Sequence, residues 1–192
     1  MGTLHPHFIV GIGGSAGALN AYKVLLDALP SQTGMAFVII SHMNPTAHSQ
    51  LAEILSRHTI MPVLVASPAM SIRANHVYVI PPAADLLIEG YTFTVVVPRT
   101  GRNKQVDLFF TSLAEALGAH AIGIILSGYD GDGTAGCQHI KAQGGKTFAQ
   151  DMSAIVDGMP LTAQAAGCVD FVLPPDKIAE ELANIGARVA QD

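Results

Sequence analysis

The sequence predicts an α/β domain of the doubly wound type, in which helices cover both faces of a mostly parallel sheet. Short apolar segments that suit buried strands alternate along the chain with longer segments of helical periodicity. A glycine-rich stretch, GIGGSAGA at 11–18, follows the first of these strands directly. The chain has 192 residues, of which 49% are apolar and 13% charged, and this composition suits one packed domain.

The predicted elements alternate in a regular order, with one interruption in the middle of the chain. Helical periodicity and helix-ending residues predict helices at 18–29, 47–58, 106–117, 134–143, 161–166 and 175–189. Buried apolar runs predict parallel strands at 8–12, 35–40, 62–66, 121–126, 146–149 and 169–173. The β-rich segments at 77–80, 85–89 and 91–97 are separated by turn residues. They predict a small antiparallel excursion at one edge of the sheet.

The composition excludes several classes of protein. The formal net charge is −5 and Lys and Arg form no cluster, so we expect no nucleic-acid partner. No apolar run approaches the ~20 residues of a membrane span, and the start, MGTLHPHFIVG, is unlike a secretion signal. Cys137 and Cys168 are too few for a disulfide framework. We expect a cytoplasmic protein without membrane insertion, in which residues 1–192 form a single domain.

The glycine-rich stretch has two interpretations. From Gly11 it matches G-x-G-x-x-A, a loose form of the loop that binds a dinucleotide pyrophosphate. From Gly13 it matches G-x-S-x-G, the turn that holds a nucleophilic serine, which here is Ser15. A dinucleotide fold places an acidic residue about 20 positions further on, at the end of the second strand. This chain has Ser41 and His42 there, so the serine interpretation is favoured.

The ends of predicted strands carry the side chains that a serine hydrolase needs. Ser15 follows the first strand, and its hydroxyl needs a base to remove the proton. His42 follows the second strand and can supply that base. Asp130 and Asp132 follow the strand at 121–126, and either can orient the imidazole. Because sites in such sheets lie beyond the carboxyl ends of the strands, we expect the site in the loops at 11–17, 41–45, 127–136 and 150–160.

Each of these residues also has an ordinary structural explanation. Ser15 can be a small residue or a helix N-cap in a tight turn. His42 can bind a backbone carbonyl, and Asp130 and Asp132 can be turn formers. His42 and His48 lie six positions apart, a poor metal spacing, and no Cys/His cluster completes a zinc site. We therefore expect no metal, and the conjunction of serine, histidine and aspartate favours catalysis.

The order of these residues is Ser, His, Asp, whereas α/β-hydrolases have Ser, Asp, His, so an ordinary lipase or esterase is not expected. The segments GIGGSAGAL, ISHMNP, HVYVIPP, VDLFFTSLA, IGIILSGYDGDGTAG, FAQD and GMPLTAQAAGCVDFVLP stand in the order seen in CheB-type chemotaxis methylesterases. The chain resembles this family from about residue 8 to residue 185.

The resemblance implies a fold, a reaction and a set of residues. It implies a doubly wound α/β domain that hydrolyses glutamyl methyl esters on chemoreceptor signalling helices and deamidates certain glutamines there. Residue by residue, it implies that Ser15 is the nucleophile, that His42 is the base and that Asp132 is the aspartate of the triad. It implies no cofactor.

Around these residues the chain departs from the family pattern. Ala16 follows the serine where the family often has a threonine, which removes a hydroxyl. Tyr129 and Asp130 replace a methionine and a glycine, and Asp130 puts a second carboxylate two residues from Asp132. For the oxyanion we expect backbone amides near Ala16 and, by the resemblance, the amide of Tyr129. We also expect Met159 to line the site.

The expected partners are chemoreceptor signalling helices, together with either a receiver domain or a methyltransferase domain. No receiver is expected before residue 8, and HSQLAEILSRHTIMPV resembles the family versions in which a methyltransferase domain follows the esterase. Two other functions stay open at this point. One is a binding module that has kept the fold without the chemistry, and the other is an acyl hydrolase that acts on a different ester.

Overall fold

The computed structural model describes residues 5–42 and 45–191, and the side chains of these residues other than 45–49. Its strands are β1 (Ile9–Gly14), β2 (Ala36–Ser41), β3 (Val63–Val65), β4 (Val77–Val79), β5 (Asp85–Glu89), β6 (Thr92–Val96), β7 (Ala121–Ile125), β8 (Lys146–Gln150) and β9 (Phe171–Leu173). Its helices are α1 (Ala18–Ala28), α2 (Pro45–Leu55), α3 (Gln105–Leu117), α4 (Thr134–Ala142), α5 (Gly158–Ala165) and α6 (Pro175–Val189).

A parallel sheet of seven strands organises the domain, in the order β3-β4-β2-β1-β7-β8-β9. Every residue of β1, β2 and β7 is buried, so these central strands need apolar side chains on both faces. Val10 packs in a core with α1 and α6, whereas its neighbour Ile9 packs in a second core with α3 and α4. This alternation confirms the predicted doubly wound fold, with helices on both faces.

The predicted antiparallel excursion was wrong for one of its three segments. The segment β4 is buried throughout and pairs in parallel with both β2 and β3, so it belongs inside the main sheet. Only β5 and β6 pair antiparallel, and they form a separate two-stranded sheet that packs on α3. A three-residue strand carries too little periodicity to reveal its direction, so its burial between two neighbours decided the pairing.

The order of the strands places a crevice at the centre of the sheet. From β1 the chain passes to β2 on one side, and it later returns to β7 on the other side. At such a switch point the loops beyond the carboxyl ends of the strands diverge and leave room for a ligand. The strand β1 also runs to Gly14, two residues further than predicted, because Gly13 and Gly14 pair with Ile40 and Ser41.

A buried carboxylate fixes the start of α3, which borders this crevice. Asp85 accepts hydrogen bonds from the side chain of Gln105 at 2.9 Å, and from the amide and hydroxyl of Thr100 at 2.8 and 2.7 Å. Burial alone would raise the pKa of Asp85, but the bonds from Gln105 and Thr100 outweigh it and hold the pKa below its usual value. The first turn of α3 is therefore anchored to the hairpin of β5 and β6.

No helix in the described part of the chain combines the length and the apolar character that crossing a membrane requires.

The contact between α3 and α4 depends on Gly136. A Cβ placed there would lie 2.5 Å from the Cβ of Phe110 and 3.2 Å from the Cα of Asp107, and neither atom can swing aside. We expect Gly136→Ala to lower the free energy of unfolding by about 1–3 kcal/mol, although alanine is the better helix former by about 1 kcal/mol. Urea unfolding measures this, and an increase in stability would contradict the close packing.

Candidate active site

Ser15 lies in a tight turn between β1 and α1. Its amide donates to the carbonyl of Ser127 at 2.9 Å, and its carbonyl accepts from the amide of Ala18 at 3.1 Å. The residue before α1 is Gly17, and no side chain caps this helix end. Ser15 is therefore not the helix N-cap, and its half-buried side chain does not bind the helix terminus.

A glycine and a buried hydroxyl hold the loop of Ser15 in place. Gly17 has φ of 75°, in the left-handed region, and a Cβ there would lie 2.7 Å from Oγ of Ser127 and 2.9 Å from Cβ of Ile155. Oγ of Ser127 is 2.7 Å from the carbonyl of Ala16 and accepts a bond from the amide of Val156 at 2.9 Å. Ser127 thus joins two loops of the crevice. Ser127 was not predicted as a functional residue, and its position directly after a predicted strand was the available signal in the sequence.

His42 directly follows β2, beside the serine turn. Its amide donates to the carbonyl of Gly14 at 3.2 Å, which places the histidine next to the residue that precedes Ser15. The side chain is only 4% exposed. Nε2 lies 2.5 Å from Oδ2 of Asp132, whereas the buried Nδ1 has no hydrogen-bond partner among the described residues. Of the loop predicted at 41–45, residues 43 and 44 lie outside the described residues.

Asp132 is the carboxylate that binds the imidazole. Besides Nε2 of His42, it accepts the amide of Val106 at 3.0 Å and the amide of Asp107 at 2.8 Å. Its side chain is fully buried, so the free amides and the dipole at the start of α3 replace water around the charge. Because this carboxylate accepts the proton of Nε2, the lone pair of the neutral ring lies on Nδ1.

A second aspartate, Asp107, binds the amides at the start of the neighbouring helix α4. Oδ1 of Asp107, in the first turn of α3, accepts the amides of Gly133 at 2.9 Å and Gly136 at 2.8 Å, at the start of α4. Burial raises the pKa of Asp107, and the negative charge of Asp132 nearby raises it further. The two carboxylates thus cap each other's helices. Asp107 was not predicted as a functional residue, and its only signal in the sequence was its place in the first turn of a predicted helix.

Asp130 lies close to the imidazole but does not bind it. Its Oδ2 is 3.7 Å from Nδ1 of His42, beyond hydrogen-bond distance, and its Oδ1 accepts the amide of Asp132 at 3.0 Å. This last bond is a local turn within the loop. The side chain of Asp130 is 30% exposed, in contrast to the buried Asp132. Only Asp132 therefore meets the two conditions for orienting the ring, which are shielding and a hydrogen bond.

No hydrogen bond joins the hydroxyl of Ser15 to the imidazole of His42, whose Nδ1 has no partner among the described residues. The two residues follow adjacent, paired strands, and Nε2 of the ring is already occupied. Nδ1 is therefore the nitrogen that remains for the hydroxyl. Bonds between a nucleophile and its base commonly tighten only when substrate binds.

The expected oxyanion donors lie in the serine turn and in the loop after β7. Among the described residues, no acceptor binds the amides of Ala16 and Tyr129, so both can serve an incoming oxygen. The ring of Tyr129 is 76% exposed. Met159 is fully buried, and its amide donates to the carbonyl of Gly128 at 2.8 Å while its sulfur fills the space beside the Cα of that glycine. Met159 thus packs against the loop that contains Gly128 and Tyr129.

Within the described ranges, no three His, Cys, Asp or Glu side chains come together in a way that could hold a metal ion. The side chain of His48 lies outside the described residues.

The fold is a doubly wound α/β domain, and the loops at one edge of its sheet carry Ser15, His42 and Asp132. The family model described as CheB methylesterase matches residues 10–182, and the chain belongs to this family. The resemblance found in the sequence is thereby confirmed.

Two similar proteins and one similar solved structure carry names from this family. A Leptospira interrogans protein is 35% identical over 173 residues, which cover 88% of this chain and 90% of that protein. A Xanthomonas oryzae protein named protein-glutamate methylesterase/protein-glutamine glutaminase 2 is 34% identical over 187 residues, which cover 94% of this chain and 52% of that protein. The crystal structure of the Thermotoga maritima CheB methylesterase catalytic domain matches with a TM-score of 0.85 and 28% identity, over 93% of this chain and 98% of that one.

The two loop aspartates are expected to respond differently to neutralisation. Asp132→Asn should lower turnover by roughly 10⁴, because the amide no longer fixes the tautomer of His42. Asp130→Asn is the matched control: the amide oxygen can still accept from Asp132, so turnover should stay near wild type. Asp130→Asn should change mainly the affinity for substrate, and this change should become smaller as salt is added. Steady-state kinetics on a glutamyl methyl ester measure both, and exchanged behaviour would make Asp130 the orienting residue.

Asp107 is expected to act through its acceptor oxygen. Asp107→Ala leaves the amides of Gly133 and Gly136 without their acceptor, so the loop of Asp132 should loosen and kcat should fall. Asp107→Asn keeps an acceptor oxygen in the same place and should restore most of the lost kcat. Steady-state kinetics and thermal unfolding of both variants test this, and equal losses in the two variants would show that the charge, and not the hydrogen bonds, matters.

Proposed function

We propose that this chain is a protein-glutamate methylesterase of chemotaxis, which hydrolyses glutamyl γ-methyl esters and also deamidates glutamine side chains. The observation that carries the proposal is the buried hydrogen bond between His42 and Asp132, beside the turn of Ser15. Membership of the CheB methylesterase family and the names of the relatives support the same reaction. The substrate glutamyl groups belong to chemoreceptor signalling helices, and the enzyme works in the cytoplasm.

The first step makes an acyl-enzyme. Oγ of Ser15 attacks the γ-carbonyl carbon of the glutamyl ester, and Nδ1 of His42 accepts the hydroxyl proton. Asp132 holds the ring by Nε2 and stabilises the imidazolium that forms, without taking the proton itself. The imidazolium then gives its proton to the departing methoxy oxygen, and methanol leaves.

Backbone amides stabilise the charge that develops on the carbonyl oxygen. The amides of Ala16 and Tyr129 lie on the two loops that flank Ser15, and no described group competes for them. Donors that are already in place need no reorganisation during the reaction, and one such donor typically contributes about 10²–10³ in rate. Met159 and Gly128 keep the second loop close to the serine, because the amide of Met159 binds the carbonyl of Gly128.

The second step releases the product. A water molecule attacks the acyl carbon, Nδ1 of His42 accepts its proton, and the proton returns to Oγ of Ser15 as glutamate leaves. A glutamine side chain follows the same course, with ammonia as the first leaving group. The chemistry uses the side chains and amides of this chain, and no step requires a metal or a cofactor. A receiver or methyltransferase domain would regulate the enzyme from outside this domain.

Ser15→Ala is expected to abolish the release of methanol from a methylated chemoreceptor fragment, with a loss on the order of 10⁶ in turnover. The exposed Ser67→Ala serves as the control and should keep full activity.

His42→Ala should lower turnover by a factor similar to that of Ser15→Ala. The double variant should be no slower than either single variant, because base and nucleophile act together.

Activity near a tenth of wild type in Ser15→Ala would exclude Ser15 as the nucleophile. Additive losses in the double variant would mean that His42 works elsewhere. A fragment that stays methylated while a different ester is cleaved would support a general acyl hydrolase, and no cleavage at all would support a binding module.

A further inference from the structure

Exposed apolar side chains concentrate beside the active site. Ten large apolar residues are exposed in the described part of the chain, and six of them occupy the loops after β7 and β8, the helix α5 and the strand β9. One of the six, Phe171, stacks on the buried ring of Phe148, which leaves five without such a partner. These five define what we term the docking surface: Tyr129, Met152, Ile155, Leu161 and Val172. Met152 is 98% exposed and Ile155 is 71% exposed. A cluster of this kind on a polar surface is typical of a binding site.

The docking surface contains a cavity of about 290 Å³. Its apolar lining includes Met152, Leu161 and Val172, and its acidic lining consists of Asp151 and Asp157. Such a cavity accepts an apolar side chain and leaves carboxylates beside it for a basic one.

The docking surface is continuous with the serine turn. Ile155 lies against Gly17, since a Cβ on that glycine would be 2.9 Å from the Cβ of Ile155. The next residue, Val156, binds Oγ of Ser127 through its amide, and its carbonyl accepts the amide of Gly128 at 2.9 Å. A polypeptide that enters the active site from this side therefore also passes over the docking surface.

The charge around the docking surface has one sign. The loops at 127–133 and 151–157, together with α5, contain Asp130, Asp132, Asp151 and Asp157, and no Lys, Arg or His. Asp132 is buried against His42, so the other three give the rim a negative charge. Complementary charge favours a partner with basic side chains, and like charge disfavours an acidic one.

We propose that the docking surface binds the polypeptide that carries the scissile glutamyl group. The substrate places an apolar side chain in the cavity and Lys or Arg side chains against Asp130, Asp151 and Asp157. A glutamyl side chain is short, so its backbone must lie on the surface next to Ser15 when the ester reaches the serine. This inference rests on the proposed function, and it adds the class of substrate segment: apolar and basic near the modified residue.

Two substrates separate docking from chemistry. The first is a peptide with one glutamyl γ-methyl ester flanked by leucine and lysine, and the second is N-acetyl-glutamate γ-methyl ester, which is too small to reach the cavity. The double variant Met152→Ser/Leu161→Ser should lower kcat/KM for the peptide by about tenfold and leave the small ester unchanged. Ile60→Ser, at an 88% exposed residue outside the docking surface, is the matched control and should change neither.

Charge is tested in the same way. Asp157→Lys should lower kcat/KM for the peptide at low salt, and the loss should shrink as salt screens the charges. Glu115→Lys makes the same change at an exposed position of α3 and should have no effect. A peptide in which glutamate replaces the lysines should react slowly with wild type and faster with Asp157→Lys.

Several outcomes would overturn the inference. One is wild-type kinetics of the surface variants on the peptide, and another is an equal loss on both substrates, which would place the effect in the catalytic loops. If wild type cleaves neither substrate, the proposed function fails. The docking surface is then still tested by measuring, through fluorescence anisotropy, whether the same ester peptide binds to Ser15→Ala. Binding weakened by Met152→Ser/Leu161→Ser and by Asp157→Lys supports docking, and no binding, or binding that ignores these changes, refutes it.

Discussion

The hydrogen bonds of one buried carboxylate hold the site and the surrounding helices together. Asp132 binds Nε2 of His42 and the first free amides of α3 with the same two oxygens. A charge without access to water is unfavourable unless polar groups surround it, and here a helix terminus supplies them. The position of α3 therefore decides where the carboxylate lies, and the carboxylate decides how the imidazole of His42 is oriented. Any change that moves the start of α3 reaches His42 through this contact.

Residues without a role in the proposed chemistry stabilise the loops of the site through hydrogen bonds. Asp107 caps α4 while its own amide binds Asp132, so α3 and α4 hold each other at their first turns. The buried hydroxyl of Ser127 connects the loop of Ser15 to the loop of Val156. Asp85 in turn anchors the start of α3 through Gln105. The proposed proton transfer between serine and histidine needs a fixed geometry, and these contacts support it.

The parallel sheet explains why the proposed catalytic residues and the proposed docking surface share one end of the domain. All seven strands of the main sheet point the same way, so the loops that follow β1, β2, β7 and β8 gather at the same edge. The first three of these loops carry the serine, the histidine and the aspartates, and the fourth carries Met152 and Ile155. In the proposed function, a short glutamyl side chain reaches the serine only if its polypeptide lies on this edge, where the apolar and acidic surface is found.

The sequence by itself determined the class of the fold, most of the elements and the residues that follow the central strands. Alternating apolar runs and glycine turns are local patterns, and the rule that sites lie beyond the carboxyl ends of parallel strands brought Ser15, His42 and the two loop aspartates to one edge. The resemblance to the family already favoured Asp132 over Asp130. Only the tertiary structure put β4 in the main sheet, showed that the ring binds Asp132 and not Asp130, and revealed Asp107 and Ser127. His42 and Asp132 are 90 positions apart, and Ser127 and Ala16 are 111 apart. Contacts of such separation depend on how helices and strands pack, and no periodicity along the chain encodes which of two neighbouring carboxylates will meet a helix terminus.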